Sequence, residues 1–290
     1  MQAAQKHAIE TREFAFSARD LVRVSALIHA RAGIALNPRK ENMVYGRLSR
    51  RLRACGMSSF GEYLDMLEAD PVAAEWEAFT NALTTNLTAF FREGHHFPIL
   101  REHLLAIRKR SDIIVWCAAA STGEEAYSIA ITACEAFGTL TPPVHVVASD
   151  IDTGVIATGD RGMYAMDRMR GMPHTMLRRY FLKGRGANSG FVRVKPELRA
   201  LVKFCRINLR DGAWNMAGRI DAIFCRNVLI YFDRPTQLAV LSRFAPLLAD
   251  GGLLFAGHSE SLAYASHLFR PLGNTVYAKG GTPGQMDAPT

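Results

Sequence analysis

Between residues 112 and 152 the chain passes through an apolar run, Ile113-Ile-Val-Trp-Cys117, a loop of small residues, Ala118-Ala-Ala-Ser-Thr-Gly123, a helical stretch opened by Glu124-Glu125, and a second apolar run that closes on Asp150-Ile-Asp152. Few architectures accommodate that order. It is how an α/β sheet holds an adenosine-containing ligand: small residues let backbone approach the ligand, and an acid after the second strand meets the ribose hydroxyls. Further apolar runs at 202–208, 220–225 and 252–257, with helical stretches near 124–137 and 234–248, extend the unit. Such alternation predicts a mostly parallel sheet with its ligand chemistry at the carboxyl ends of the strands.

The preceding segment is different in kind. From Phe16 to about Arg110 apolar residues recur at helical spacing, as in Leu21, Val24, Leu27 and Ile28, then Phe60, Tyr63, Leu64 and Leu67. Ser17 with Asp20, Ser58-Ser59 and Asp70-Pro71 stand where caps and first turns belong. One stretch interrupts the α/β rhythm: Gly184-Arg-Gly186-Ala-Asn-Ser-Gly190, ahead of Phe191-Val-Arg-Val194, reads as a turn between two short strands and predicts a small antiparallel insert. Residues 280–290 are Gly, Pro and polar and read as a disordered tail.

Composition narrows the partners. A formal charge of +8 argues for an acidic partner or substrate without saying which. Cys55, Cys117, Cys134, Cys205 and Cys225 are scattered, with no CxxC pair and no zinc spacing, so they read as reduced thiols and no metal site is expected. Residues 1–20 lack an apolar stretch of the kind a secretion signal needs, and no later run is long enough to span a membrane, which points to the cytoplasm.

Chemistry can be assigned at four places and a docking role at a fifth. Glu124-Glu125 suits a helix N-terminus but puts negative charge where a pyrophosphate would sit. That disfavours dinucleotides and favours a ligand that joins adenosine to positive charge, as S-adenosylmethionine does. Asp150 is placed for the ribose, or else as a helix cap, for which Asp152 is the better candidate. Arg226, Asn227 and Tyr231 leave the apolar run that ends at Cys225, and Phe232 reads as core. Asn86, Thr88 and Arg92 recur at spacings of two and four and can converge on one ligand, whereas His95 and His96 read as capping or interdomain groups. Arg47, Arg50, Arg51 and Arg53 gather on a helix as a solvated face or a docking surface for an acidic helix, with RNA less favoured because no aromatics interleave.

Taken together, Thr85-Asn-Leu-Thr-Ala-Phe-Phe-Arg-Glu93, Ala120-Ser-Thr-Gly-Glu-Glu125, Ala148-Ser-Asp-Ile-Asp152, Ile223-Phe-Cys-Arg-Asn-Val228 with Tyr231-Phe232, and Leu254-Phe-Ala-Gly-His-Ser-Glu260 resemble the blocks of the chemotaxis receptor methyltransferases, the CheR family, over roughly residues 16–279. The resemblance implies a helical domain over 16–84, a connection over 85–110, and a Rossmann-like class I methyltransferase domain over 111–279 with an antiparallel β-subdomain at about 178–201. It assigns Asn86, Thr88, Arg92, Glu125, Asp150, Asn208, Leu209, Arg226 and Asn227 to S-adenosyl-L-methionine, and turns Arg92 and Tyr231 toward the substrate carboxylate. Ala126 stands where members usually have Pro, and Ala119-Ala120 where many have Gly-Cys.

The implied reaction is methylation of receptor glutamate side chains, which yields methyl esters and S-adenosyl-L-homocysteine. A glutamate, with an ordinary pKa of about 4.3, is already ionised at neutral pH, so a missing general base is expected. The alternative is a catalytically weak, cofactor-binding regulatory protein of a chemosensory pathway. Implied partners are the cytoplasmic domains of methyl-accepting chemotaxis receptors and, through the loop with Gly184, Gly186 and Gly190, a receptor C-terminal peptide added as a strand. A monomer is expected.

Overall fold

The computed structural model describes residues 12–216 and 218–280. The chain divides into two compact units at Leu83/Thr84. The tails expected over 1–15 and 280–290 lie outside the described residues except for 12–15 and Gly280.

Among its described residues the first unit has four α-helices: α1 (Ala18–Ala32), α2 (Glu41–Cys55), α3 (Phe60–Ala69) and α4 (Glu75–Leu83). Ser17 and Asp20 form a reciprocal capping box at α1, and Ser59 caps α3 by accepting from Glu62 N. Asp70 departs from expectation. It ends α3 instead of opening a helix, and its carboxylate takes Val72 N at 3.0 Å. The arginine row on α2 is also shorter than its spacing predicts. Arg51 is half-buried and grips both oxygens of Glu75 (2.8 and 2.7 Å), Arg53 pairs with Glu13, and Arg47 donates to Ala82 O at 3.3 Å, so only Arg50 and Arg53 stand exposed.

The second unit runs α5 (His96–Ala106), β1 (Ile113–Cys117), α6 (Glu124–Phe137), β2 (Val144–Asp150), α7 (Thr153–Arg161), β3 (Met163–Ala165), α8 (His174–Tyr180), β4 (Phe181–Lys183), β5 (Phe191–Val194), α9 (Pro196–Arg199), β6 (Val202–Arg206), β7 (Ile220–Cys225), α10 (Arg234–Leu247), β8 (Leu248–Ala256), β9 (Phe269–Gly273) and β10 (Val276–Lys279). The main sheet has the order β6-β2-β1-β7-β8-β10-β9, parallel through β8 and antiparallel beyond it. Ile113, Val115 and Cys117 alternate toward α6, which is buried along nearly its whole length. Trp116 points the other way, onto Phe244 of α10 at 5.1 Å. Over β2 and β6 that second face borders a groove of about 580 Å³ lined by Ile114, Val147, Lys203, Cys205 and Trp214.

The antiparallel insert is present as a sheet of its own, β3-β5-β4, and it begins earlier than 178. Its first strand is only three residues long, too short for an alternation signal, and follows directly on Gly162, the left-handed cap of α7. The β9–β10 hairpin was not anticipated either; its turn holds Gly273, Asn274 and Thr275 at positive φ. All five cysteines are unpaired, and no helix among the described residues is long and apolar enough to cross a membrane.

Candidate functional site

The chemistry-bearing residues of the second unit stand at the carboxyl ends of its parallel strands. From β1 the chain turns sharply: Ala118 N donates to Phe224 O (2.8 Å), Ala120 N to Ser149 O (2.9 Å), and Ser121 and Gly123 take φ values of 50° and 96°. A Cβ on Gly123 would lie 2.9 Å from both Phe204 Cζ and Tyr164 Oη, so only glycine lets α6 start this close to the sheet.

Asp150, at the end of β2, accepts Ser121 N on one oxygen (2.9 Å) and Asp152 N on the other (3.0 Å). Each oxygen keeps a lone pair for a further donor, as binding a diol requires. Burial pushes its pKa up. Asp152 caps α7 through Gly154 N and Val155 N with one oxygen. With the other it holds Thr84 Oγ1 and Asn86 Nδ2, both at 2.8 Å. Ser121 Oγ adds a bond to Asn86 O at 3.0 Å, so Asn86 is tied beside the Asp150 strand end.

The two glutamates that open α6 are not bare negative charge. Arg168 neutralises fully buried Glu124, and Arg226 reaches Glu125 Oε2 at 2.5 Å. The expected repulsion of a pyrophosphate by this pair therefore loses its basis: the compensating cations come from 44 and 101 residues away and cannot be seen in the local sequence. Burial raises Glu125, and Arg226 opposes that rise. The charge argument moves to a wider group. Glu93, Glu125, Asp150 and Glu260 are buried or nearly so, while Arg226 is the guanidinium buried among them.

Arg92 lies on a turn whose neighbours, Phe91 and Glu93, both sit at φ 52°, a conformation that non-glycine residues hold only when their surroundings enforce it. Ser128 Oγ accepts Phe91 N (2.9 Å), Arg226 Nη2 donates to Arg92 O (2.6 Å), and Arg92 Nη1 donates to Leu87 O (2.9 Å). The Glu93 carboxylate takes His258 N and Nδ1 and Asn227 Nδ2, and pairs with Arg226 at 3.2 Å. Burial alone would raise Glu93, but the His258 bond and the Arg226 charge outweigh it and bring the pKa down to about 2. Glu93, His95 and His96 place three ligand-type atoms within 4.8 Å of one another. The Glu93 oxygens are already engaged, however, and the adjacent guanidinium would repel a metal cation.

His96 is neither a cap nor exposed: its Nε2–H donates to Asn274 O at 2.9 Å and anchors α5 to the β9–β10 turn. Burial pulls its pKa down to about 4. His95 occupies the cap position of α5 without a side-chain cap bond. Arg226 leaves β7 almost fully buried with its Nε unpartnered, and Asn227 follows at φ 57°. Tyr231 ends a 3-10 turn, Leu229–Tyr231, half-buried, and Phe232 is core as expected. At the exit of β6, Asn208 shapes its own loop by accepting Arg210 N and donating to Asp211, and Leu209 is buried behind it. Thr88 is half-buried in the segment between Asn86 and Arg92.

The structure thus gathers these residues into two hydrogen-bonded groups, Asn86 with Asp150 through Asp152 and Ser121, and Arg92, Glu125 and Asn227 around Arg226 and Glu93, with Asn208 and Leu209 at the exit of β6. Gly184, Gly186 and Gly190 lie apart from it, in the β4–β5 turn of the insert. Sequence reading gave no role to Glu93, Ser128, Arg168, His258 or Glu260. Glu93, His258 and Glu260 nevertheless fall inside the quoted blocks, which was the available signal.

Two family descriptions match this chain: "CheR methyltransferase, SAM binding domain" over residues 86–278 and "CheR methyltransferase, all-alpha domain" over residues 19–84. The chain belongs to the CheR methyltransferase family. Its similar relatives include chemotaxis protein methyltransferase 2 of Pseudomonas aeruginosa, 51% identical over 92% of this chain and 95% of the relative. The chemotaxis protein methyltransferases of Salmonella typhimurium (52%, covering 92% of each chain) and Escherichia coli (49%, covering 92% of this chain and 93% of the relative) are similar to the same extent.

S-adenosyl-L-methionine is the cofactor of this CheR domain. The residues present fit it: Asp150 keeps acceptors for two hydroxyls, the Arg226 Nε is a buried donor without a partner, and the excess of carboxylates over guanidinium suits a ligand that carries a sulfonium.

Proposed function

We propose that this CheR-family methyltransferase acts on glutamate side-chain carboxylates of methyl-accepting chemotaxis receptors and leaves methyl esters. The observation that carries this reading is the state of the titratable groups around Arg92. His96 is buried, bonded through Nε2 and held neutral; His258 is committed to Glu93; Glu93 and Glu125 are committed to Arg226. Those bonds suit the orientation of a nucleophile already ionised, as a glutamate is, which needs no proton removed. The relatives' names, chemotaxis protein methyltransferase, point to the same class of substrate.

When bound, the cofactor supplies an electrophilic methyl group on a sulfonium. The protein's contribution is positional. Arg92, braced by Leu87 O and by Arg226, presents a guanidinium that orients the incoming carboxylate; Tyr231 borders it from the β7 exit; burial of Glu125 and Arg226 keeps water from the reacting oxygen. Asn86, Thr88, Asp150, Asn208, Leu209 and Asn227 hold the cofactor.

Docking extends the proposal. The basic residues left exposed on α2, Arg50 and Arg53, would meet an acidic receptor helix, and the Gly184–Gly190 hairpin would take a receptor C-terminal peptide along its edge, raising local substrate concentration to the order of mM. The work would be done in the cytoplasm on the receptors' cytoplasmic domains, by a monomer. Incubation with a receptor cytoplasmic domain and methyl-labelled cofactor tests the chemistry: mild alkali should release the label as methanol, and alkali-stable label would overturn the ester assignment. Arg92→Ala should lower kcat by about a hundredfold while changing cofactor Kd by about threefold or less; equal losses in both would leave Arg92 a cofactor residue only.

A further inference from the structure

Strand β8 leaves the sheet at Ala256, and Gly257-His-Ser-Glu260 folds back at once, with Glu260 N bonded to Gly257 O at 2.8 Å. Glu260 is 5% exposed. It accepts Gly257 N at 2.6 Å and Asn227 N at 2.8 Å on one oxygen, and Ile230 N at 3.3 Å on the other. All of these partners are backbone N–H groups, so the carboxylate is held in the interior by main-chain dipoles. Burying a carboxylate is costly unless such donors solvate it.

The knot is tight on every side. A Cβ on Gly257 would sit 2.5 Å from Asn227 Nδ2, 2.8 Å from Glu260 Oε2 and 2.9 Å from Asn227 N. Asn227 is itself left-handed, at φ 57°. The bond to Ile230 N falls in the 3-10 turn that ends at Tyr231. One carboxylate thereby sets the course of the whole loop from Asn227 to Tyr231, the loop that bears the β7 residues of the site.

We propose that Glu260 is a positioning residue: its carboxylate fixes the β7 exit loop so that Asn227 and Tyr231 keep their places beside the cofactor and the methyl acceptor. The kinetic part of this inference rests on the function proposed above; the structural part does not. Charge matters as well as shape. Every donor is an N–H, a carboxylate offers acceptors alone, and the carboxamide of Glu260→Gln would turn an NH₂ against at least one of them.

The first test is made on the cofactor-free protein. Amide hydrogen exchange at Asn227, Ile230 and Gly257 should quicken about tenfold or more in Glu260→Gln, with β1 and β2 unchanged. The second is kinetic, at a temperature well below the melting point of each variant. Per folded molecule, kcat for receptor methylation should fall about tenfold or more with receptor KM within about twofold. Gly257→Ala should reproduce the defect from the other partner, and the double variant should be no worse than either single one, because both break one unit. Exchange and kcat within about twofold of the parent would overturn the proposal, as would a kcat loss that vanishes once the unfolded fraction is subtracted. If the parent chain methylated no receptor, the exchange measurement would still decide whether Glu260 holds the loop.

Discussion

Replacing Arg226 by methionine strands two carboxylates at once. Glu125 loses its cation at 2.5 Å, Glu93 loses one at 3.2 Å, and Arg92 O loses its donor at 2.6 Å, all around a side chain that is 1% exposed. The fall of Glu93 from 4.5 to about 2 corresponds to about 3 kcal/mol, and Arg226 supplies only a part of it beside His258 and Asn227. For Glu125, burial and Arg226 already oppose one another, so removing Arg226 leaves the desolvation cost unrelieved. Breaking one partner out of a buried ionic group costs about 3–5 kcal/mol, which for a domain of this size lowers the melting transition by roughly 10 °C. The pH dependence has a definite sign. In the parent chain the Glu93 contribution is complete above 4.5 and is lost as pH falls toward 2. In the variant Glu125, raised by burial and no longer opposed by Arg226, carries a penalty that grows as pH rises through about 4.5 and beyond, while Glu93 keeps only the part of its stabilisation that His258 and Asn227 supply. Scanning calorimetry between pH 4.5 and 8 should therefore show the gap between parent and Arg226→Met smallest at the acid end and widening toward neutrality. A difference below about 1 kcal/mol at pH 7, or one that widens as pH falls, would refute this reading of the ionic cluster.

Other consequences are equally direct. Asp152→Ala removes the acceptor of Thr84, Asn86, Gly154 and Val155 together; loss of the cap costs about 1–2 kcal/mol, and calorimetry should show cofactor affinity down about tenfold as Asn86 is released. Gly123→Ala places a Cβ against Phe204, Tyr164 and the Gly159 backbone at φ 96°, so about 2–4 kcal/mol of destabilisation is expected in chemical denaturation. Asp221→Ala breaks the bonds to Arg110 and to Ile114 N at the far end of the sheet; it should lower stability by about 2 kcal/mol and leave cofactor Kd unchanged.

How far the sequence could be read depended on the range of the interactions. The strand-loop-helix-strand unit was legible because β1 and β2 are short, continuous apolar runs and Ser121, Gly123 and Asp152 are local turn and cap chemistry. Asp150 stood out as a candidate from the strand order, whereas Asn86, Arg92 and Arg226 drew their assignment from the blocks that resemble a family. What escaped was long-range. Arg168 and Arg226 neutralise Glu124 and Glu125 from other elements, and Glu75 takes Arg51 out of the α2 row from 24 residues away. Strand β3 was too short to show a period, and the β9–β10 hairpin turns on Asn274 and Thr275 at positive φ, where Gly273-Asn274 was the one cue. Glu260 escaped for a related reason: its role is written in the positions of backbone N–H groups, which no residue pattern displays.

On the function proposed above, the methyl acceptor is an ionised glutamate carboxylate, aligned by Arg92 without a base. Mass spectrometry of a receptor cytoplasmic domain after incubation with the parent chain and S-adenosyl-L-methionine locates the transferred methyl group. Methyl groups should appear on glutamate side chains and be absent when Arg92→Ala replaces the parent. Methylation of lysine, asparagine or glutamine nitrogens, or of no receptor residue at all, would overturn the proposed function.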